Sequence, residues 1–183
     1  MSSVRKKQPI FLCLLTAFLL LMLTACQGKE EGFQILVYAD LPQESVLLGK
    51  NVLEDVDLDE EEINIQLYPG MLERLMVDIV GHTGDILIIE KEMLPAILDP
   101  VGLEPLDTVV DLKSFMDSSE LKAQDENGDE HIYALPVSAD LPIFNDLPIQ
   151  SELVAVIPKY SSHREEALKI IEQFMDERKL VLR

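Results

Sequence analysis

The sequence predicts an α/β fold: a single domain with a mixed, mostly parallel sheet flanked by helices. Three observations predict it. Phe33-Gln34-Ile35-Leu36-Val37-Tyr38-Ala39 is a nearly continuous apolar run, which suits a strand covered on both faces. A strand, a helix and a second strand follow one another between Ile63 and Ile89, and such a crossover unit joins parallel strands. A broad apolar helix face, Ala167, Leu168, Ile170, Ile171, Phe174 and Met175, then closes the chain.

Taken in order, the first segment is organised for export. Arg5, Lys6 and Lys7 form a basic n-region, the apolar run Ile10 to Leu23 contains no acid, and small residues precede Cys26. A helix over that run would be about 21 Å long, short of the roughly 30 Å hydrocarbon core a permanent transmembrane helix must cross. Leu23-Thr24-Ala25-Cys26 resembles the lipobox of bacterial lipoproteins. The resemblance implies a signal peptide over residues 1–25 and a diacylglycerol on the Cys26 thiol. It also implies a palmitate-type lipid anchor at the extracytoplasmic face of the cell membrane. Cys13 lies within the apolar run, behind Phe11 and Leu12, and reads as signal.

Cleavage before Cys26 would leave 158 of the 183 residues, enough for one conventional core. No cysteine follows Cys26, so the domain is expected to use no disulfides. Removing the three signal cations from a formal charge of −19 leaves −22. Nucleic acid is a poor partner for such a chain, and anionic headgroups would repel it, so the anchor rather than the surface is expected to hold the membrane. Residues 26–32 read as lipidated cysteine and tether, the tether Gln27 to Gly32 reaching at most about 20 Å. Residues 33–183 read as the α/β domain.

Within the domain, Asp40-Leu41-Pro42 ends the first strand, and a helix is expected over about Gln43 to Glu54, weakened by Gly49. The acidic run Asp57 to Glu62 reads as a solvated loop before an alternating strand, Ile63 to Leu67. Pro69-Gly70 break the chain. Met71, Leu72, Leu75, Met76, Ile79 and Val80 then recur at helical spacing up to Gly81, with the methionines expected in the core. Ile86 to Ile89 forms the third strand, followed by a short helix over Glu92 to Leu98 and another capped by Asp111. Asn127-Gly128 marks a hairpin, Leu153 to Ile157 a last strand, and Ser162 with Glu165 has capping-box spacing for a helix to about Glu177.

Four blocks in this order resemble the first lobe of an extracellular solute-binding protein of the type II periplasmic-binding fold. They are Ile35 to Ala39, Gly84-Asp85-Ile86-Leu87-Ile88-Ile89, Gly102-Leu103-Glu104-Pro105-Leu106-Asp107, and Asn127 to Val137 with its Tyr133-Ala134-Leu135-Pro136 ending. The stretch Val154 to Ser162 with the helix behind it resembles the family's return to lobe one. The chain departs from the family where a second lobe is expected, because only Ala139 to Glu152 lies between. One wall of a two-lobed cleft would remain, open to water.

No catalytic constellation, metal cluster or cofactor motif is legible, and the expectation is a protein without enzymatic activity or cofactor. His82, His131 and His163 fall in separate elements without ligand spacing and read as surface histidines. Asp125, Asn127 and Asp129 resemble the start of a calcium loop, but Glu130 stands in its glycine position and Pro136 at its closing glutamate, so the hairpin reading is preferred. Two functions are expected in order: a membrane-anchored, solute-binding-protein-like module for a small solute or protein partner, or an envelope interaction or structural lipoprotein that has lost ligand binding. Ligands of open α/β sheets sit beyond the carboxyl ends of the strands, where this chain places Asp40, Tyr68, Glu90 and Ser138. Asp40 and Glu90 would hold a cationic or hydroxyl-bearing group, Tyr68 a stacking face, and Ser138 a neutral hydrogen bond.

Overall fold

The computed structural model describes residues 32–41, 63–110, 118–139, 141, 144 and 147–181, with side chains to 175. The export signal, Cys26, most of the tether, the helix expected over 43–54, the acidic run 57–62 and the short helix after Asp111 lie outside these residues. The opening apolar run forms β1, Gln34–Ala39, buried along its whole length. Both of its edges carry parallel neighbours: β2, Asn64–Pro69, and β3, Ile86–Glu90. The second strand runs two residues past the expected Leu67, through Tyr68 and Pro69. It lies at the sheet edge, where a proline without an N–H is tolerated.

Between β2 and β3 stands α1, Leu72–Val80. It turns Leu75 and Asp78 inward, but Met71, Leu72, Met76 and Val80 are exposed, so the two methionines expected in the core are on the surface. Gly81, read as the stop, keeps a right-handed conformation. His82 takes the left-handed position instead, at φ 54°. The His82 N–H reaches the Ile79 carbonyl at 3.1 Å and the Thr83 N–H reaches that of Asp78 at 2.9 Å. This is the paired hydrogen bonding of a Schellman motif, with histidine where glycine is usual. The His82 ring stacks on Tyr160, centroids 4.8 Å apart.

Beyond β3 the chain forms a 3₁₀ turn, Lys91–Ala96, rather than the expected α-helix; Pro95 lies inside it and has no N–H to extend an α ladder. The Asn-Gly signal is met by an antiparallel ribbon separate from the main sheet, β4 Lys122–Gln124 with β5 Glu130–Ile132. Gly128 turns it at φ 87°, with its N–H on the Asp125 carbonyl. Then β6, Leu135–Val137, and β7, Leu153–Val156, complete the main sheet in the order β2-β1-β3-β7-β6. Strand β7 runs antiparallel to both β3 and β6. The sheet is therefore mixed. Four strands share a direction and β7 alone runs against them, so two of the four pairings are parallel and two antiparallel.

The last helix, α2, is Arg164–Val181, with Ala167, Ile170, Ile171 and Phe174 buried. Its cap falls one residue later than expected. The His163 carbonyl accepts the Ala167 N–H, and the Ser161 hydroxyl accepts the His163 N–H. His163 thus occupies the position expected for Ser162, and the Ser162–Glu165 spacing does not act as a capping box.

Candidate functional site

Two carboxylates bracket β3. Asp85, just before it, accepts the backbone N–H of Gln34 on Oδ2 at 2.9 Å, and Glu90, its last residue, accepts that of Asp40 on Oε1 at 2.7 Å. These are the N–H groups at the two ends of β1, so each acid closes a ladder where the strand runs out of neighbours. Glu90 also takes the Ser151 hydroxyl at 2.8 Å, which binds the segment ahead of β7 to the end of β3. Gly70 completes the junction. A Cβ there would lie 3.0 Å from both the Asp40 nitrogen and Glu90 Oε2, so glycine lets the end of β2 reach this point without displacing either.

Over this junction lies a cleft of about 580 Å³ lined by Asp40, Leu41, Glu90, Glu92, Gln150 and Ser151, with Pro148 at its side. Two of the four residues expected at the site, Asp40 and Glu90, therefore come together. Ser138 lines a neighbouring hollow of about 470 Å³ that shares Gln150 and Ser151 with the cleft. Tyr68 is not in either lining. Its ring stacks on Tyr38 at 5.3 Å, the Arg74 guanidinium lies 4.5 Å from its centroid, and its hydroxyl meets Gln66. That ring is used within the protein, which leaves the expected stacking face unsupported. Sequence reading missed Glu92, Gln150, Ser151 and Gly70. The only local signal for them is a polar turn before the last strand and a Pro-Gly break after the second.

Three other polar centres lie outside the cleft. Burial, reinforced by a 2.7 Å hydrogen bond to Asp78, pushes the Tyr38 phenol far above its ordinary value, and Arg74 clasps the same carboxylate through two nitrogens. Each histidine has partners. His131 Nδ1 meets Asp107 at 2.5 Å, and its hydrogen bond holds the imidazole above the usual histidine value. His163 Nδ1 lies 3.1 Å from Asp85 and 3.4 Å from the Ser162 hydroxyl. A nucleophilic serine and an orienting acid must sit on opposite ring nitrogens. Here both face Nδ1, and Ser161 donates to Asp85 rather than to the ring. The cluster has the components of a hydrolase site without its geometry.

Among the described residues no three metal-ligating side chains are grouped, and no helix is long and apolar enough to cross a membrane. No family model and no solved structure matches the chain. Among curated proteins it is similar to one from Bacillus subtilis (strain 168) named "Putative lipoprotein YteS", 25% identical over 171 residues that cover 91% of this chain and 95% of that one. The likeness supports a bacterial lipoprotein. That name assigns no reaction.

Proposed function

We propose that the protein is an extracytoplasmic lipoprotein, anchored to the cell membrane through lipidated Cys26, whose α/β domain is a solute-binding-protein-like module that acts without catalysis. The observation carrying the binding half is the cleft at the carboxyl ends of β1 and β3, where open α/β sheets hold their ligands. Strand β7 supports the same reading. It inserts between β3 and β6, running against both, as the return to lobe one would after the second lobe has shrunk to residues 138–152. The anchor rests on the Leu23–Cys26 quartet and on the similarity to a protein named as a lipoprotein.

Metabolic labelling with a fatty-acid analogue tests the anchor. The wild-type chain takes label and sediments with membranes, Cys26→Ser does neither, and labelling that persists in Cys26→Ser overturns the assignment. For the cleft, full-length protein in detergent is screened for thermal stabilisation by amino acids, sugars, diamines and metal ions. A ligand present at a hundred times its Kd adds about 2.7 kcal/mol to stability. Stabilisation that disappears in Asp40→Ala supports the site; a panel without response moves the alternative ahead. That alternative, an envelope interaction lipoprotein that has lost ligand binding, is favoured by one feature. Leu72, Met76 and Val80, at i, i+4 and i+8 along α1, form an exposed apolar stripe beside Met71 and Val77.

A further inference from the structure

We infer that the cleft takes a small organic cation, an aliphatic ammonium group with no carboxylate of its own, on the free oxygen of Glu90. This rests on the ligand-binding reading of the cleft and names its ligand class. Glu90 is only 9% exposed, and a buried carboxylate is costly unless it meets a cation. Its Oε1 is occupied by two neutral donors, Asp40 N–H and the Ser151 hydroxyl, whereas Oε2 accepts no hydrogen bond among the described residues. No described side-chain oxygen is both sealed and unpartnered, so Oε2 reaches solvent, and Glu90 is among the residues lining the cleft. The adjacent cation does not reach it: Lys91 is held by Glu120 at 2.7 Å and Glu152 at 2.9 Å.

The remaining lining narrows the class. Among the described residues that line the cleft, Asp40 and Glu92 add negative charge, Gln150 and Ser151 add neutral polar groups, and there is no Lys or Arg. An anion or a zwitterion would set its carboxylate against three others, which disfavours amino acids. A metal ion would find no group of three metal-ligating side chains among the described residues. An aliphatic ammonium needs only one or two oxygens and fits a space of about 580 Å³.

The test is calorimetric titration of the full-length protein in detergent with 1,4-diaminobutane, 4-aminobutanoate, 1,4-butanediol and calcium chloride. The diamine is expected to bind, with the zwitterion and the diol at least roughly tenfold weaker, and binding should fall as NaCl is raised. Glu90→Gln should weaken the diamine roughly tenfold or more. Because that change also touches a ladder end, Asp40→Asn with Glu92→Gln, both exposed positions, provides a second variant; it should weaken the diamine about threefold while leaving the melting temperature in place. Diamine affinity unchanged in both variants overturns the inference. Glu90-dependent binding of the diol as tight as the diamine, or calcium displacing the diamine, overturns the cation class but leaves a ligand-binding cleft. Failure of all four probes, together with a silent wider screen, overturns the cleft reading as well.

Discussion

At the scale of single residues, two glycines share φ 87° but differ in surroundings, and the difference separates strain from collision. A Cβ at Gly84 would fall 2.8 Å from the Leu36 side chain and 3.0 Å from that of Leu87, both fully buried, whereas one at Gly128 meets nothing. The left-handed backbone alone should cost an alanine about 1 kcal/mol. Gly128→Ala is therefore expected to lose about that much in urea unfolding, and Gly84→Ala about 2–4 kcal/mol because packed core atoms must also give way. Equal losses would show that the Leu36 contact yields without cost. Asp85 and Glu90 illustrate what was legible at this scale. Glu90 is legible as a site residue at the end of an apolar strand, whereas Asp85 enters only within the block resembling the solute-binding family. Their partners, backbone N–H groups 51 and 50 residues earlier, carry no side-chain signal and became visible only with the fold.

Elements were read best where the pattern is local. Strand β1 and the Asn-Gly hairpin follow from apolar runs and turn chemistry within a few residues. Where competing local chemistry intervenes the pattern misleads: Pro95 turns the expected helix into 3₁₀, and the left-handed residue that ends α1 is His82, one past the expected stop at Gly81. On α1, helical spacing puts Leu72, Met76 and Val80 on the apolar face and the methionines in the core, but periodicity cannot tell which part of a wide apolar arc has a partner; Val80 remains 77% exposed. The hairpin carries a pH-dependent contact. His131 on β5 bonds Asp107, whose other oxygen accepts the Ile132 N–H, so the pair pins the ribbon to the 107 turn. The imidazole sits above the usual histidine value, first through that hydrogen bond and then through the charges of Asp107, Asp125 and Asp129. A raised folded value means that the protonated ring is favoured in the native state. Its contribution is complete below the unfolded value of about 6.5 and is lost as pH rises through the higher folded one. Urea midpoints measured from pH 5.5 to 8.5 should decline over that window in the wild type, and less steeply in His131→Gln. Identical slopes would remove His131 as the source.

For the molecule as a whole, strand order and the direction of β7 were beyond the sequence, because a connection such as 138–152 can return a strand either way. Net charge, by contrast, was legible from the start and sets a property of the intact molecule. The proposed cleavage before Cys26 would leave a formal −22 on 158 residues, in a domain whose radius of gyration should be about 15 Å. At 0.01 M salt the Debye length is about 30 Å, so every charge feels every other; at 0.15 M it is about 8 Å, and only neighbours interact. Unfolding spreads the same charge over a larger volume, so self-repulsion works against the native state and salt should relieve it. The opposing effect is loss of surface ion pairs such as Lys91 with Glu120 and Glu152, each worth at most about 1 kcal/mol and screened over the same range. Repulsion among so many unbalanced acids should outweigh these pairs. The melting temperature of the lipidated protein in neutral detergent at pH 7 is expected to rise by several degrees between 0.01 and 0.15 M NaCl. A melting temperature that stays level or falls would mean that the acids are matched locally well enough for the ion pairs to decide the sign.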